Sequence, residues 1–261
     1  MYPHHQATID RVVEHFQADP VFPALIVGGS LVKGWGRPDS DVDIVLVATD
    51  EEYARRAAEK NITYATTEFC DYPGGYVDVK IVDMSFLHDV AKRGSEPARS
   101  AYVKAYLAYS RLPELSALLT RIPVYQEANH TRKLESFYTQ VQALQWFVSE
   151  AEKRQNPYLM MHAVSDLVLF GGRMILAHNR ILYPYHKWFL TELERAPQKP
   201  DHFMEHLHTL LAQPNKVNAD QFCETLLNFT DWPKPTEIWP TRFLFDSEWN
   251  WRHQSPPLED C

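Results

Sequence analysis

A chain of 261 residues is long enough for one large domain or two modest ones with proper cores. Hydrophobic residues make up 45% and charged residues 23%, an ordinary globular balance that excludes a disordered or fibrous chain. Acidic residues outnumber basic ones 34 to 26, a formal charge of -8, and this argues against a nucleic-acid partner, because phosphate neutralisation dominates that affinity. The three cysteines, Cys70, Cys223 and Cys261, are widely spaced and odd in number, so no paired framework or metal knuckle can be read from them. The start, MYPHHQATIDRVVEHF, lacks the pattern of a secretion signal. The longest apolar stretch, Tyr158 to Ala177, is interrupted by His162, Ser165, Asp166 and Arg173 and makes a poor membrane span. The expectation is a reduced, cytoplasmic protein with no membrane partner.

In chain order, Ile9, Val12, Val13 and Phe16 have helical spacing, and Pro20 closes that segment. Ala24 to Val27 is a short apolar run closed by Gly28-Gly29, which predicts a buried strand. Val42 to Val47 is a second strand, and Thr49-Asp50-Glu51-Glu52 is a helix-start signal. Ile62 to Phe69 is a weaker strand; Tyr76 to Val82, after the Pro73-Gly74-Gly75 turn, alternates cleanly and is another. From about Pro97 the pattern is helical almost throughout. Leu134, Phe137, Tyr138, Val141, Leu144, Val148 and Ala151 define one helix face, and Pro157 to Asn179 is apolar nearly all round, as a central buried helix would be. Two further helices are expected between Trp188 and Leu227. An extended tail rich in Pro and Trp follows, packed on its own helical domain or on the second subunit of a homodimer. The predicted class is α+β: residues 1–125 with a mixed sheet, 126–230 an all-α bundle, and 231–261 the tail.

The chemistry concentrates between Gly28 and Asp43. Glycines allow positive φ and close backbone approach, and Ser30 at the start of a short helix would offer free N–H groups and a hydroxyl to a triphosphate oxygen. Residues two apart on a strand share a face, so Asp41 and Asp43 project together while Val42 and Ile44 point into the core. Paired carboxylates beside phosphates suit Mg²⁺. Asp78 occupies the polar face of the Tyr76–Val82 strand as a third acid, with Glu68 and Asp83 as the competing candidates. Three carboxylates could hold two Mg²⁺ ions about 3.5–4 Å apart. Lys33 and Arg37 are further loop cations that could neutralise phosphate.

Gly29-Ser30, ten intervening residues, then Asp41-x-Asp43 resembles the nucleotidyltransferase superfamily that includes polymerase β and the aminoglycoside nucleotidyltransferases. The likeness covers roughly residues 24–82. It implies a polymerase β-like first domain, with Gly29 and Ser30 on the triphosphate, Asp41 and Asp43 on metal, and Asp78 as third metal ligand and general base. It further implies ATP or another nucleoside triphosphate as co-substrate, with a nucleoside monophosphate passed to a hydroxyl of a small acceptor, an aminoglycoside-like antibiotic among the candidates. A protein side chain as acceptor is an alternative.

The helical half adds candidates. At about 100° per residue, His162 and Arg173 point within about 20° of each other and Asp166 lies about 40° away, one polar stripe on an apolar helix. By resemblance to the aminoglycoside enzymes, Asp166 would orient or deprotonate the acceptor; the competing reading is a structural link from Asp166 to Arg173 or His162. Lys187 could reach the triphosphate or simply lie along the surface. Two rivals remain. Arg173 and His178 have the Arg-x4-His spacing of ribonuclease motifs in toxin–antitoxin helical domains, though Met174 departs from their pattern. A nucleotide-binding protein with a silent transferase fold is the other, against which all three acids are retained.

Overall fold

The computed structural model describes residues 1–256, so Cys261 lies outside the described residues. The chain divides at Val124/Tyr125 into two compact units.

The first unit alternates helices and strands: α1 (Pro3–Phe16), β1 (Ala24–Val27), α2 (Gly29–Lys33), β2 (Val42–Val47), α3 (Asp50–Ala58), β3 (Thr63–Thr66), β4 (Val77–Val82), α4 (Met84–Arg93), α5 (Glu96–Ser100), β5 (Tyr106–Ser110) and α6 (Leu115–Arg121). The strands form one mixed sheet in the order β3-β4-β2-β1-β5, with β2 and β4 parallel and the other pairs antiparallel. Alternation along the strands sets both faces. Val42, Ile44 and Leu46 of β2 and Val77, Val79 and Ile81 of β4 pack with Ile9, Val12 and Phe16 of α1. Val47 and Val82 pack on the opposite face with Leu87, Val90, Leu115 and Leu118 of α4 and α6.

The expectation of unbroken helix after Pro97 fails at β5. Ala101, Ala105 and Ala108 give the segment helical spacing, but Tyr106 to Tyr109 pair antiparallel with β1, with an irregularity at Leu25/Ile26. Tertiary pairing overrides local pattern there.

Three polar features stabilise this unit, and the last two are testable. Thr49 caps α3 by accepting the Glu52 N–H at 3.4 Å, as the start signal predicts. Hydrogen bonds from Arg55 and Arg56 hold the Glu52 carboxyl down at about 2. Because the folded value is depressed, this contribution is full above the ordinary glutamate value of 4.5 and is lost as pH falls toward 2. Glu52→Gln should therefore lose less stability than the parent across that window in urea melts; equal losses would refute the linkage. Arg99 is 3% exposed, and its guanidinium donates to the carbonyls of Ala91 (2.6 Å), Ile122 (2.9 Å), Gly94 (3.1 Å) and Val124 (3.4 Å), tying the ends of α4 and α6 together. Burial lowers its pKa. Arg99→Met strands those carbonyls, and a loss of about 3 kcal/mol is expected, read as a lower urea midpoint at constant slope.

The second unit is helical: α7 (His130–Lys153), α8 (Pro157–His178), α9 (His186–Arg195), α10 (Phe203–Ala212), α11 (Lys216–Leu227) and α12 (Trp239–Phe243). The region expected to hold two helices before Leu227 holds three: Pro197 and Pro200 separate α9 from α10, and Asn215 caps α11 by accepting the Asn218 N–H at 2.9 Å. By length and composition, α8 is the one helix among the described residues that could cross a membrane. Here Leu167, Met174 and Ile175 are buried in the helical core. Gly171 and Gly172 let neighbours approach closely: a Cβ at those positions would meet the Phe222 ring at 2.7 Å and the Phe189 ring at 2.3 Å.

The tail is not extended. Beyond α12 come a π-helical turn over Leu244–Glu248 and a 3₁₀ turn over Asn250–Arg252. It folds on its own unit: Phe243 packs on Phe147 of α7 at 5.9 Å between ring centroids, and Gln140 donates to the Ser247 hydroxyl at 2.8 Å. Trp239 and Phe243 are half-buried by this packing, while Phe245 and Trp249 stay exposed.

Candidate active site

The site is built where β1 runs into α2 beside the N-terminal ends of β2 and β4. The Gly28 N–H donates to the Asp43 carbonyl at 3.0 Å, which fixes the turn against β2. Gly29 then takes φ +73, and a Cβ on it would lie 1.7 Å from Asp43 Oδ2 and 2.7 Å from Asp43 Cβ. Only glycine meets both demands, since the left-handed backbone disfavours a side chain and the carboxylate fills its place. Ser30 follows in the first turn of α2, 6% exposed.

On the other side of β2 the parallel register places Asp43 directly opposite Asp78. Neighbouring strands lie about 4.8 Å apart, so the two half-buried side chains leave the same sheet face as near neighbours. Val42 N–H donates to the Tyr76 carbonyl at 3.0 Å, which sets Tyr76 beside Asp41. The Tyr76 hydroxyl donates to the Asp41 carboxylate; this bond first, then the Asp41 charge, burial, and the charges of Asp78 and Asp43, raise the phenol's pKa. All three acids are therefore felt at one hydroxyl. Asp78 is also paired with Lys80 Nζ at 2.6 Å.

The three carboxylates thus share one corner of the sheet, each beside its own neighbour: Asp41 with Tyr76, Asp43 against Gly29, Asp78 with Lys80. Among the described residues, no group of three or more His, Cys, Asp or Glu side chains is arranged to hold a metal ion. The candidate ligands at this corner are nevertheless all carboxylates, the oxygen chemistry that suits a hard divalent cation.

The competing acids lie elsewhere. Asp83 caps α4 by accepting the Phe86 N–H at 2.7 Å, and Glu68 is exposed in the turn after β3. Lys33 ends α2, donates to Ser100 Oγ at 3.3 Å and lies 5.1 Å from the Trp35 ring centroid. Arg37 is exposed and paired with Asp39 at 3.2 Å. Sequence reasoning missed Tyr76 and Lys80, although the alternation that singled out Asp78 also puts Lys80 on its face. It also missed an apolar cavity of about 150 Å³ lined by Ile26, Val45, Lys80, Val82, Phe86 and Tyr102. Val45 and Lys80 stand two residues beyond Asp43 and Asp78, so this cavity continues the same face.

In the helical unit, His162 Nε2 lies 3.7 Å from Asp166 Oδ2, a cross-turn pair of the kind the structural reading predicts. Arg173 sits between the rings of Phe137 and Tyr183, at 4.6 and 4.7 Å. His178 meets Gln198 Oε1 at 2.9 Å and packs on Phe229 and Trp232. Arg173 and His178 lie about 140° apart around α8, so the Arg-x4-His spacing does not bring them together. Lys187 is exposed in the first turn of α9, 5.5 Å from the Trp188 ring centroid.

No family model and no curated protein matches the chain. Among solved structures, a nucleotidyltransferase-like protein from Exiguobacterium sibiricum 255-15 is similar over 97% of this chain and 81% of its own, at 11% identity and a TM-score of 0.46.

Proposed function

We propose that the protein is a metal-dependent nucleotidyltransferase that moves a nucleoside monophosphate, AMP from ATP by preference, onto a hydroxyl of a small acceptor. The observation that carries this reading is the placement of Asp43. Asp43 stands opposite Asp78 in register and its carboxylate lies against Gly29, so a carboxylate pair and a glycine turn occupy one corner. A merely structural Asp-x-Asp has no need of a glycine that cannot be replaced beside it.

Asp41, Asp43 and Asp78 would hold Mg²⁺, which supplies Lewis-acid stabilisation of the charge developing on phosphate oxygens. Asp78 takes the acceptor proton as general base, with Lys80 Nζ 2.6 Å from its carboxylate. The Gly29–Ser30 turn steadies the polyphosphate through backbone N–H groups and the Ser30 hydroxyl. Tyr76 orients Asp41 through its hydrogen bond.

A pyrophosphate-release screen with Mg²⁺, the four nucleoside triphosphates and a panel of amino-sugar and simple alcohol acceptors tests this. Metal- and acceptor-dependent release is expected. Tight nucleotide binding with no release across the panel would favour a nucleotide sensor instead.

A further inference from the structure

The helical unit contains a cavity of about 670 Å³, within the range of small-molecule sites. Two walls are continuous helices, α7 and α8, and the third is the tail from Phe243 to Asn250. This third wall is fixed. Gln140 holds Ser247, while Arg242 donates to Asp246 at 2.8 Å and to Ser136 at 3.0 Å, with Glu135 and Glu237 each 4.0 Å away. The wall includes the π-helical turn, a local irregularity that is frequent at functional sites.

The lining has a definite chemistry. Four phenyl rings (Phe137, Phe147, Phe170 and Phe243) line the space with the carboxylates of Asp166, Asp246 and Glu248 and the imidazole of His162, whose Nε2 lies 3.7 Å from Asp166 Oδ2. Among the described residues, no Lys or Arg lines it, and the adjoining Arg242 is itself surrounded by three carboxylates. Ring faces and carboxylates both attract a cation, and the rings add apolar surface for its body. A polyhydroxylated sugar would leave its hydroxyls against phenyl rings, and an anion would meet like charge.

We infer that this cavity binds an organic amine with an apolar body, such as an arylalkylamine. The site needs neither metal nor nucleotide, so it stands or falls independently of the transfer reaction.

Calorimetry on the full chain with 3-phenylpropylamine, 3-phenylpropanol and 3-phenylpropionate tests it. The amine is expected to bind at least about tenfold more tightly than the alcohol, and the propionate most weakly. In the Asp166→Asn/Glu248→Gln variant the amine should fall to the alcohol's affinity, and Leu159→Trp, at the cavity wall, should weaken both. If the double variant does not fold, the exposed Glu248→Gln alone should cost at least about threefold for the amine and nothing for the alcohol. Equal affinity for all three compounds, no binding of the amine, or amine binding unchanged in Glu248→Gln and Leu159→Trp would overturn the inference.

Discussion

Replacing Asp43 with Asn is expected to cut pyrophosphate release at least about 10³-fold, equivalent to about 4 kcal/mol of lost transition-state stabilisation, while the protein stays folded. Asn keeps the shape of the side chain, so the packing against Gly29 survives and only the charge is removed. Asp78, opposite in register, should behave alike. The loss should appear in kcat more than in KM, because the charge acts on oxygens that become more negative in the transition state. A folded Asp43→Asn protein within tenfold of the parent would remove Asp43 from the chemistry.

Gly29→Ala should fail in a different way. The new Cβ would lie 2.7 Å from Asp43 Cβ, a contact that no rotation of the carboxylate relieves, and φ +73 disfavours any side chain. A loss of at least about 3 kcal/mol is expected, together with at least about 10²-fold in turnover as Asp43 is pushed aside. The contact can be separated from backbone strain by a double-mutant cycle in urea. In an Asp43→Gly background the cost of Gly29→Ala should fall by about 2 kcal/mol, leaving the strain alone. Additive losses would show that the two residues do not meet.

The corner of the sheet was legible in the sequence because its cues are local. Ala24–Val27 and Val42–Val47 are bounded apolar runs, the glycines punctuate them, and strand alternation puts Asp43 and Asp78 on a polar face. Their register is a long-range fact that only the parallel pairing of β2 with β4 supplies. β5 is not legible locally, because its partner β1 is some eighty residues away. Lys80 is equally legible, since the alternation that places Asp78 on the polar face places it there too. The aromatic tail was misjudged as extended because its fold is decided by packing of Phe243 on Phe147, which no local spacing announces. On α8, His162 and Asp166 pair across one turn, and Arg173 lies against two aromatic rings.

The central claim is that the carboxylates of β2 and β4 act together on a divalent ion. Mn²⁺ titration followed by electron paramagnetic resonance, with a non-hydrolysable ATP analogue present, measures this directly. The account predicts protein-bound Mn²⁺ in the parent that is lost in both Asp43→Asn and Asp78→Asn. Binding that is absent in the parent, or equal in all three proteins, would contradict it.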